Sequence, residues 1–326
     1  MAGTLHLLGP QRPTPNLPEV LASLPSSGPV VYITAGWRHD ENDDEALQRD
    51  IGSRGKLLPI YAWFEELART APALFQAYHA KQQEIRKLKA QYRLRLDPSV
   101  AAVRILNEQL ELNPDSSFLR AEFDDAIEVL RGLNRRFVAH SERIGEAFEA
   151  EHEPHQHPRI APRIAQIQQI LGEANAVLIA GGHVGVLLNR LEFFGVGPAL
   201  TRAMESGTHT IAWSAGAMSL CDEVILFHDD PPMGKLNPEI LDRGLGLAPN
   251  LVVLPHARER LTLDNKALVN LFAARFAPSP CIGMENGAWL QSDGERWFNA
   301  GNRDSAFQLT TDGTLQPIEG PHAPNT

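Results

Sequence analysis

The sequence predicts a three-layer α/β sandwich with a largely parallel sheet, and three observations lead to this prediction. Short apolar runs typical of buried strands alternate with segments of helical periodicity. Residues 57–158 contain almost no strand pattern, which indicates a helical insertion. The apolar run 210–213 ends in Ser-Ala-Gly-Ala, which indicates a sharp strand-to-helix turn at Ser214. We therefore expect an α/β domain formed by residues 1–56 and 159–326, interrupted by a helical hairpin or small bundle.

Composition and charge exclude several classes of partner. Of the 326 residues, 43% are hydrophobic and 21% are charged, as is usual for a soluble globular protein. The net charge of −10 argues against nucleic acid and anionic membranes, because both attract basic patches. The two cysteines have no metal-ligand spacing and indicate a reducing compartment. Residues 1–9 lack signal-peptide features and no apolar run is long enough to span a membrane, so we expect a cytoplasmic protein.

The first elements along the chain favour a parallel sheet. Residues 4–8 form a short apolar run closed by Gly-Pro, which predicts the first strand. A short helix is predicted over 19–24, and the β-branched run 30–34 predicts the second strand. The order strand, helix, strand is how a parallel sheet begins.

The inserted segment predicts two long amphipathic helices. The first begins after Thr70, a capping residue, and we expect Asp97-Pro98 to interrupt it. The second covers about 117–150. Their apolar stripes predict an antiparallel hairpin. This hairpin could be a structural insertion, a lid or a dimerisation arm. As a dimerisation arm it would make the protein a homodimer. The three histidines within 152–157 lie between prolines and are interpreted as an exposed linker, so no metal site is expected.

From residue 160 onward, strands and helices alternate again. The predicted strands are 176–180, 210–213 and 251–254, and the predicted helices are 164–171, 184–191, 198–204 and 265–276. The alternating pattern through Trp297 predicts a closing hairpin.

The turn at Ser214 suits a nucleophile. A serine between a buried strand and a helix projects outward, and small neighbours are needed because the backbone there is crowded. The alternative is an ordinary strand-turn-helix in which Ser214 only caps the helix.

Two further strand ends carry polar groups, at His256 and Glu285. Because the carboxyl ends of parallel strands line one crevice, we expect Ser214, His256 and Glu285 at one edge of the sheet. A serine hydroxyl needs a base to take its proton, and an imidazole needs a third group to hold its tautomer. These three residues supply those parts. In isolation, the histidine would be an ordinary polar residue and the glutamate an exposed turn residue.

A fourth strand end carries Gly181-Gly182, where a backbone N–H group can approach a substrate closely. Together with the N–H group of Ala215, Gly182 could form a two-donor oxyanion hole. The pair does not fit the dinucleotide-binding pattern G-x-G-x-x-G, so we expect no cofactor.

These motifs resemble the dipeptidase E and cyanophycinase family of serine peptidases. Residues 211–217 are similar to the family's nucleophile motif. Further stretches match in the family's order: 178–183 with 187–188, 228–231, 246–256 and 283–289. The resemblance implies a class I glutamine amidotransferase-like fold, with a flavodoxin-like sheet and with serine in place of the amidotransferases' cysteine.

The resemblance also implies roles for individual residues. Ser214 would be the nucleophile, His256 the general base and acid, and Glu285 the group that orients the histidine; Gly182 and Ala215 would bind the oxyanion. The resemblance also implies that Asp229 lies near the site as a second acidic candidate, and we expect a substrate-binding or structural role for it before a role in the triad.

Two departures from the family concern the substrate. His183 replaces an asparagine after the two glycines, and the family's substrate-reading loop after the histidine is absent. Arg258 or Arg260 could still bind a substrate carboxylate, but strict specificity for Asp-Xaa dipeptides is not expected.

The sequence therefore predicts a serine hydrolase that cleaves a small peptide or other amide through an acyl-enzyme. Its substrate and its exo- or endo-specificity are left open. The main alternative is a non-catalytic binding or regulatory protein of the same fold. A glutamine amidotransferase is disfavoured because serine replaces cysteine. An α/β-hydrolase esterase is disfavoured because Ala212 replaces the first glycine of its motif and too few strands precede the turn.

Overall fold

A computed structural model of the protein describes residues 2–25, 28–53, 55–227, 237–292 and 296–320. Its strands are β1 (Leu5–Leu8), β2 (Val30–Ile33), β3 (Gly55–Leu57), β4 (Ala176–Ile179), β5 (His209–Trp213), β6 (Glu223–Leu226), β7 (Glu239–Arg243), β8 (Val252–Pro255), β9 (Cys281–Met284), β10 (Trp289–Ser292), β11 (Trp297–Asn299), β12 (Ala306–Leu309) and β13 (Leu315–Pro317). Its α-helices are α1 (Leu17–Ser23), α2 (Glu45–Asp50), α3 (Ile60–Thr70), α4 (Pro72–Leu112), α5 (Ser117–His152), α6 (Ala161–Glu173), α7 (Val184–Phe193), α8 (Val196–Glu205), α9 (Ala215–Leu220), α10 (Ala257–Arg260) and α11 (Lys266–Phe276). Short 3-10 helices lie at Ala35–Asp40 and Pro154–Gln156.

The central sheet is largely parallel, as predicted. Its spatial order is β11-β10-β1-β5-β4-β2-β3. Strands β1, β5, β4, β2 and β3 pair in parallel, while β10 and β11 are antiparallel at one edge and form the predicted closing hairpin. Strand β3 was not predicted, because its three residues carry no apolar run.

The sheet is covered on both faces, which gives the predicted sandwich. Neighbouring residues of one strand enter different apolar clusters, so that Leu7 and Leu8 of β1 point to opposite faces. The strands of the parallel part are buried along almost their whole length. A strand that is buried on both sides is continuously apolar, which explains why these strands were recognisable in the sequence.

A second sheet corrects the prediction that the three candidate catalytic residues share one sheet edge. Its order is β13-β12-β9-β8, with β8 and β9 parallel. Ser214 follows β5 in the central sheet, whereas His256 and Glu285 follow β8 and β9 in this second sheet. The chain crosses from β9 to β10 of the central sheet just after Glu285. The N–H group of Gly9 at the end of β1 donates to the Ala288 carbonyl just before β10, 3.0 Å away, which extends the pairing of these two strands.

The inserted helices form the predicted antiparallel hairpin, but the first one is longer than expected. Helix α4 continues through Pro98 to Leu112 instead of ending at Asp97-Pro98. An interior proline removes one helical hydrogen bond and costs about 3 kcal/mol. Buried residues on both sides of Pro98, among them Leu96 and Val100, pack against neighbouring helices and offset this cost.

The hairpin shares its apolar core with the α/β part. Arg275 of α11 is only 2% exposed, and its Nη2 donates to the Tyr92 hydroxyl and to Oδ1 of Asn134, each 2.8 Å away. These bonds fix α4 and α5 against α11. The division of the chain at residues 57 and 158 stays a prediction, since one continuous apolar cluster crosses it. None of the described helices is long and apolar enough to cross a membrane.

Candidate active site

Ser214 lies on a strained turn between β5 and α9. Its backbone has φ 51° and ψ −120°, a conformation that costs a non-glycine residue about 1–3 kcal/mol. The surroundings leave no room for side chains: a Cβ on Gly181 would lie 2.9 Å from the Ser214 Cβ, and one on Gly216 would lie 2.2 Å from the Ile179 carbonyl oxygen. The turn therefore holds the Ser214 side chain away from the strand, at the carboxyl edge of the sheet.

Two backbone N–H groups lie beside this serine without partners. Gly182 has φ 130°, and a Cβ there would lie 2.6 Å from the Gly36 carbonyl group. Within the described parts of the chain, no acceptor receives a hydrogen bond from the N–H groups of Gly182 or Ala215. Both residues are close enough to Ser214 to line a cavity with it. They are available as donors to an oxyanion.

His256 directly follows β8, and its backbone has a left-handed conformation, with φ 59° and ψ 37°. Its N–H group donates to the Met284 carbonyl at 3.0 Å, which ties it to β9. Burial, and then the charge of Arg260, lower the pKa of His256, against the opposing effects of Glu259 and Glu285. The imidazole is therefore neutral near pH 7 and able to accept a proton.

The carboxylate within ion-pair distance of the His256 ring is that of Glu259, whereas the sequence analysis singled out Glu285. Oε2 of Glu259 lies 3.5 Å from Nδ1 of His256, while Oε1 of Glu285 accepts from the Arg258 N–H at 2.8 Å. Glu285 thus caps α10, the single helical turn that carries Glu259. In the described chain no hydrogen bond joins the His256 ring to Ser214 or to Glu285. The sequence signal for Glu259 was available, since three residues on a helix are one turn.

The other predicted site residues have different surroundings. His183 caps α7, where its Nδ1 accepts from the Val186 N–H at 3.2 Å; this is a role that an asparagine can also fill. The guanidinium of Arg258 stacks on Phe307, 4.5 Å from the ring centre, and lines neither cavity at Ser214. Arg260 does line one of them. Asp229 lies outside the described residues.

Two cavities meet at Ser214 and Gly182. The first, the Trp37 cavity, has a volume of about 260 Å³ and is lined also by His256, Trp37 and the ion pair Arg12–Asp50, whose atoms are 3.3 Å apart. The second, the Arg93 cavity, is also about 260 Å³. Its polar lining residues are Arg93, Asn237, Glu239 and Arg260.

The inserted hairpin reaches the Arg93 cavity through Arg93, a residue that the sequence analysis did not single out. Arg93 of α4 donates from Nε and Nη2 to the carboxylate of Glu239 in β7, at 2.5 and 2.6 Å, and Lys89 lies 3.0 Å from the same carboxylate. Burial tends to raise the pKa of Glu239, but the bonds from Arg93 and Lys89 outweigh it and lower the pKa. Among the described residues Arg260 makes no ion pair or hydrogen bond, and its guanidinium lies over the Phe227 ring, 5.7 Å from the ring centre.

Comparisons with known proteins relate the chain to a family of peptidases. A family model described as Peptidase family S51 matches residues 138–299. Peptidase E of Citrobacter koseri is 28% identical over 158 residues, which are 47% of this chain and 66% of that protein, so the chain spans just under two thirds of its length.

Solved structures extend the agreement to the fold. The crystal structure of a peptidase from an acI-B1 Actinobacterium has a TM-score of 0.52 and 15% identity, with 99% of this chain and 96% of that chain covered. A putative Peptidase E protein from Listeria monocytogenes EGD-e has a TM-score of 0.45 and 12% identity, with 93% and 100% covered. The first shows the same fold. The predicted resemblance to the dipeptidase E family is therefore confirmed: the model of Peptidase family S51 matches just under half of the chain.

Proposed function

We propose that the protein cleaves a peptide or other amide bond with Ser214 as the nucleophile. The observation that carries this proposal is the strained turn that holds Ser214 where two cavities meet, with His256 lining one of them. A serine that only caps a helix does not need this backbone conformation. The side chain of Ser214 also makes no capping hydrogen bond to α9. The match to the model of Peptidase family S51 supports a peptide as the substrate.

The residues account for each step of acyl transfer. Oγ of Ser214 attacks the carbonyl carbon and its proton passes to His256, while the N–H groups of Gly182 and Ala215 bind the oxyanion. The tetrahedral intermediate collapses when His256 gives this proton to the leaving amine. A water molecule then attacks the acyl-enzyme, with His256 again taking and returning the proton, and the acid product leaves.

The position of His256 sets the direction of the substrate. A general acid must lie beside the leaving amine, and His256 lines the Trp37 cavity but not the Arg93 cavity. The leaving part of the substrate therefore occupies the Trp37 cavity, and the acyl part occupies the Arg93 cavity. Each cavity, at about 260 Å³, suits only a short segment. This size favours small peptides over folded proteins.

A fluorophosphonate probe tests the proposal directly, because it phosphonylates only an activated serine. We expect the wild-type chain to be labelled with a stoichiometry near one and Ser214→Ala to remain unlabelled. Ser219→Ala is the matched control: Ser219 is buried on α9 and its hydroxyl donates to the Ala215 carbonyl. If the wild-type chain stays unlabelled and no member of a short-peptide library is cleaved, the non-catalytic alternative is favoured instead.

The two glutamates near His256 are expected to behave differently. Glu285→Gln can still accept from the Arg258 N–H through its amide oxygen, so α10 remains capped, whereas the charge that acts on His256 is lost. If Glu285 orients the imidazole as proposed, the variant loses about 10²-fold or more in kcat with little change in stability. Glu259 is exposed, and an exposed ion pair is worth at most about 1 kcal/mol. Glu259→Gln is therefore expected to lose less than about tenfold.

Steady-state kinetics of both variants, with thermal unfolding as the check on folding, decide between the two carboxylates. A larger loss of kcat in Glu259→Gln than in Glu285→Gln would assign the orienting role to Glu259 and limit Glu285 to capping.

A further inference from the structure

The outer face of α4 carries a largely apolar seam that has no partner among the described residues. All five exposed large hydrophobic side chains of the described residues lie on the hairpin, and three of them are on α4: Leu94 is 69% exposed, Ile105 55% and Leu112 82%. The buried residues of α4, such as Tyr92 and Leu96, point to the opposite side, toward α5 and the core. The side of α4 that packs inside the hairpin is therefore buried, while the seam on its other side stays exposed.

The spacing of the seam is that of a coiled coil. Positions 94, 98, 101, 105, 108 and 112 are separated by alternating steps of four and three residues, and all six are exposed. They are occupied by Leu94, Pro98, Ala101, Ile105, Glu108 and Leu112. An average step of 3.5 residues keeps one line of side chains facing a second helix over several turns.

The distribution of charge along α4 indicates which helix fits the seam and in which orientation. The part of α4 before the seam is basic on balance, with Arg86 and Lys87 exposed against one exposed acid, Glu84, and the end of the seam is acidic, with Glu108 and Glu111 exposed. Two copies of α4 in parallel would place like charges side by side. In antiparallel order, each basic half lies against the acidic half of the other copy.

We propose that α4 packs antiparallel against α4 of a second copy of this chain, which makes the protein a two-fold symmetric dimer. Leu94 of each copy then lies opposite Ile105 of the other, Pro98 lies opposite Ala101, and the stem of Lys87 covers Leu112 beside Glu108 and Glu111. Such a contact is self-complementary, as a two-fold interface requires. The seam lies on the far side of α4 from its buried face, so the inference does not rest on the proposed function.

The mass of the whole protein in solution is the first test. Sedimentation velocity from 1 to 100 μM is expected to give about twice the chain mass of 35.9 kDa. A monomer at 100 μM overturns the proposal. Leu94→Glu combined with Ile105→Glu is expected to weaken dimerisation at least 100-fold. Val129→Glu, at an equally exposed apolar position on α5, is the matched control and is expected to remain dimeric. Dissociation of the control alone would place the interface elsewhere and overturn the proposal.

Disulfide trapping tests the direction and does not depend on how the charged variants fold. The natural cysteines, Cys221 and Cys281, are free but buried, so only the introduced cysteines are accessible for cross-linking between chains. Mild oxidation of a mixture of Leu94→Cys and Ile105→Cys chains is expected to give cross-linked dimers. Leu94→Cys by itself is expected to stay uncrosslinked. In the antiparallel pair its two copies are about 16 Å apart, eleven residues at about 1.5 Å each, beyond the reach of a disulfide. Efficient cross-linking of Leu94→Cys alone, or none in the mixture, contradicts the proposed arrangement.

Discussion

Replacing His256 with alanine is expected to lower kcat/KM for a cleaved peptide by about 10⁴-fold or more, since losing the base of a catalytic triad leaves only binding and the oxyanion hole. The same variant is expected to label with a fluorophosphonate far more slowly than the wild-type chain. Its thermal stability is expected to change little, because the ring is partly exposed and the hydrogen bond that ties His256 to β9 is donated by its backbone N–H. His140→Ala, an exposed position on α5, is the control and is expected to keep full activity. Activity within tenfold of wild type in His256→Ala would remove this histidine from the mechanism.

The pH profile gives a second measurement of the same role. A general base works only when neutral, and burial and Arg260 lower the pKa of His256 below its ordinary value of about 6.5. The acid limb of kcat/KM is therefore expected below pH 6.5, with activity lost as the pH falls through it. Arg260→Gln removes one cause of the lowered pKa, so it is expected to move this limb to higher pH. An acid limb that stays in place in Arg260→Gln would contradict the electrostatic coupling between the two side chains.

The sequence was sufficient for those parts of the fold in which local pattern and burial coincide. Strands β4 and β5 are buried on both faces, so their residues form short apolar runs that can be recognised without a partner. The turn after β5 could be predicted as well, since the neighbours of a sharp turn at Ser214 must be small, and alanine and glycine follow it. The order of the polar strand ends along the chain then placed the candidate site.

Other parts depend on partners far away in the chain. Strand β7 contains Glu239 and Asp242, which look like surface residues, but Glu239 is paired with Arg93, 146 residues earlier. Apolar runs show that β8 and β9 are buried, but they do not show which strands pair, so the second sheet was missed. Helix α4 continues through Pro98 because of tertiary packing that overrides the local preference. The position of Arg93 at the site follows from this packing and had no signal in the sequence.

A buried histidine away from the site is expected to make the fold sensitive to acid. His6 of β1 is 3% exposed, and its Nδ1 accepts from Trp289 Nε1 at 3.0 Å and from the Gln291 amide nitrogen at 2.8 Å. Its Nε2 lies 2.7 Å from the Thr4 hydroxyl. The ring is thus held neutral with its proton on Nε2, because protonation would set an N–H group against two donors. Burial, and then the nearby His209, lower the pKa of His6 to about 4.

The direction of the pH effect follows from the two pKa values. In the unfolded chain His6 takes up a proton at about pH 6.5, but in the folded chain only at about pH 4, so the unfolded state binds more protons between these values. The free energy of unfolding is expected to decrease by about 3 kcal/mol from this group as the pH falls from 6.5 to 4. Urea denaturation at pH 7.5 and pH 4.5 measures the loss in the wild-type chain and in His6→Gln, which cannot titrate. Other titrating groups contribute equally to both proteins, so the difference between the two decreases in free energy of unfolding is the contribution of His6. Equal decreases in the two proteins would show that the hydrogen bonds of the neutral His6 ring do not control stability in acid.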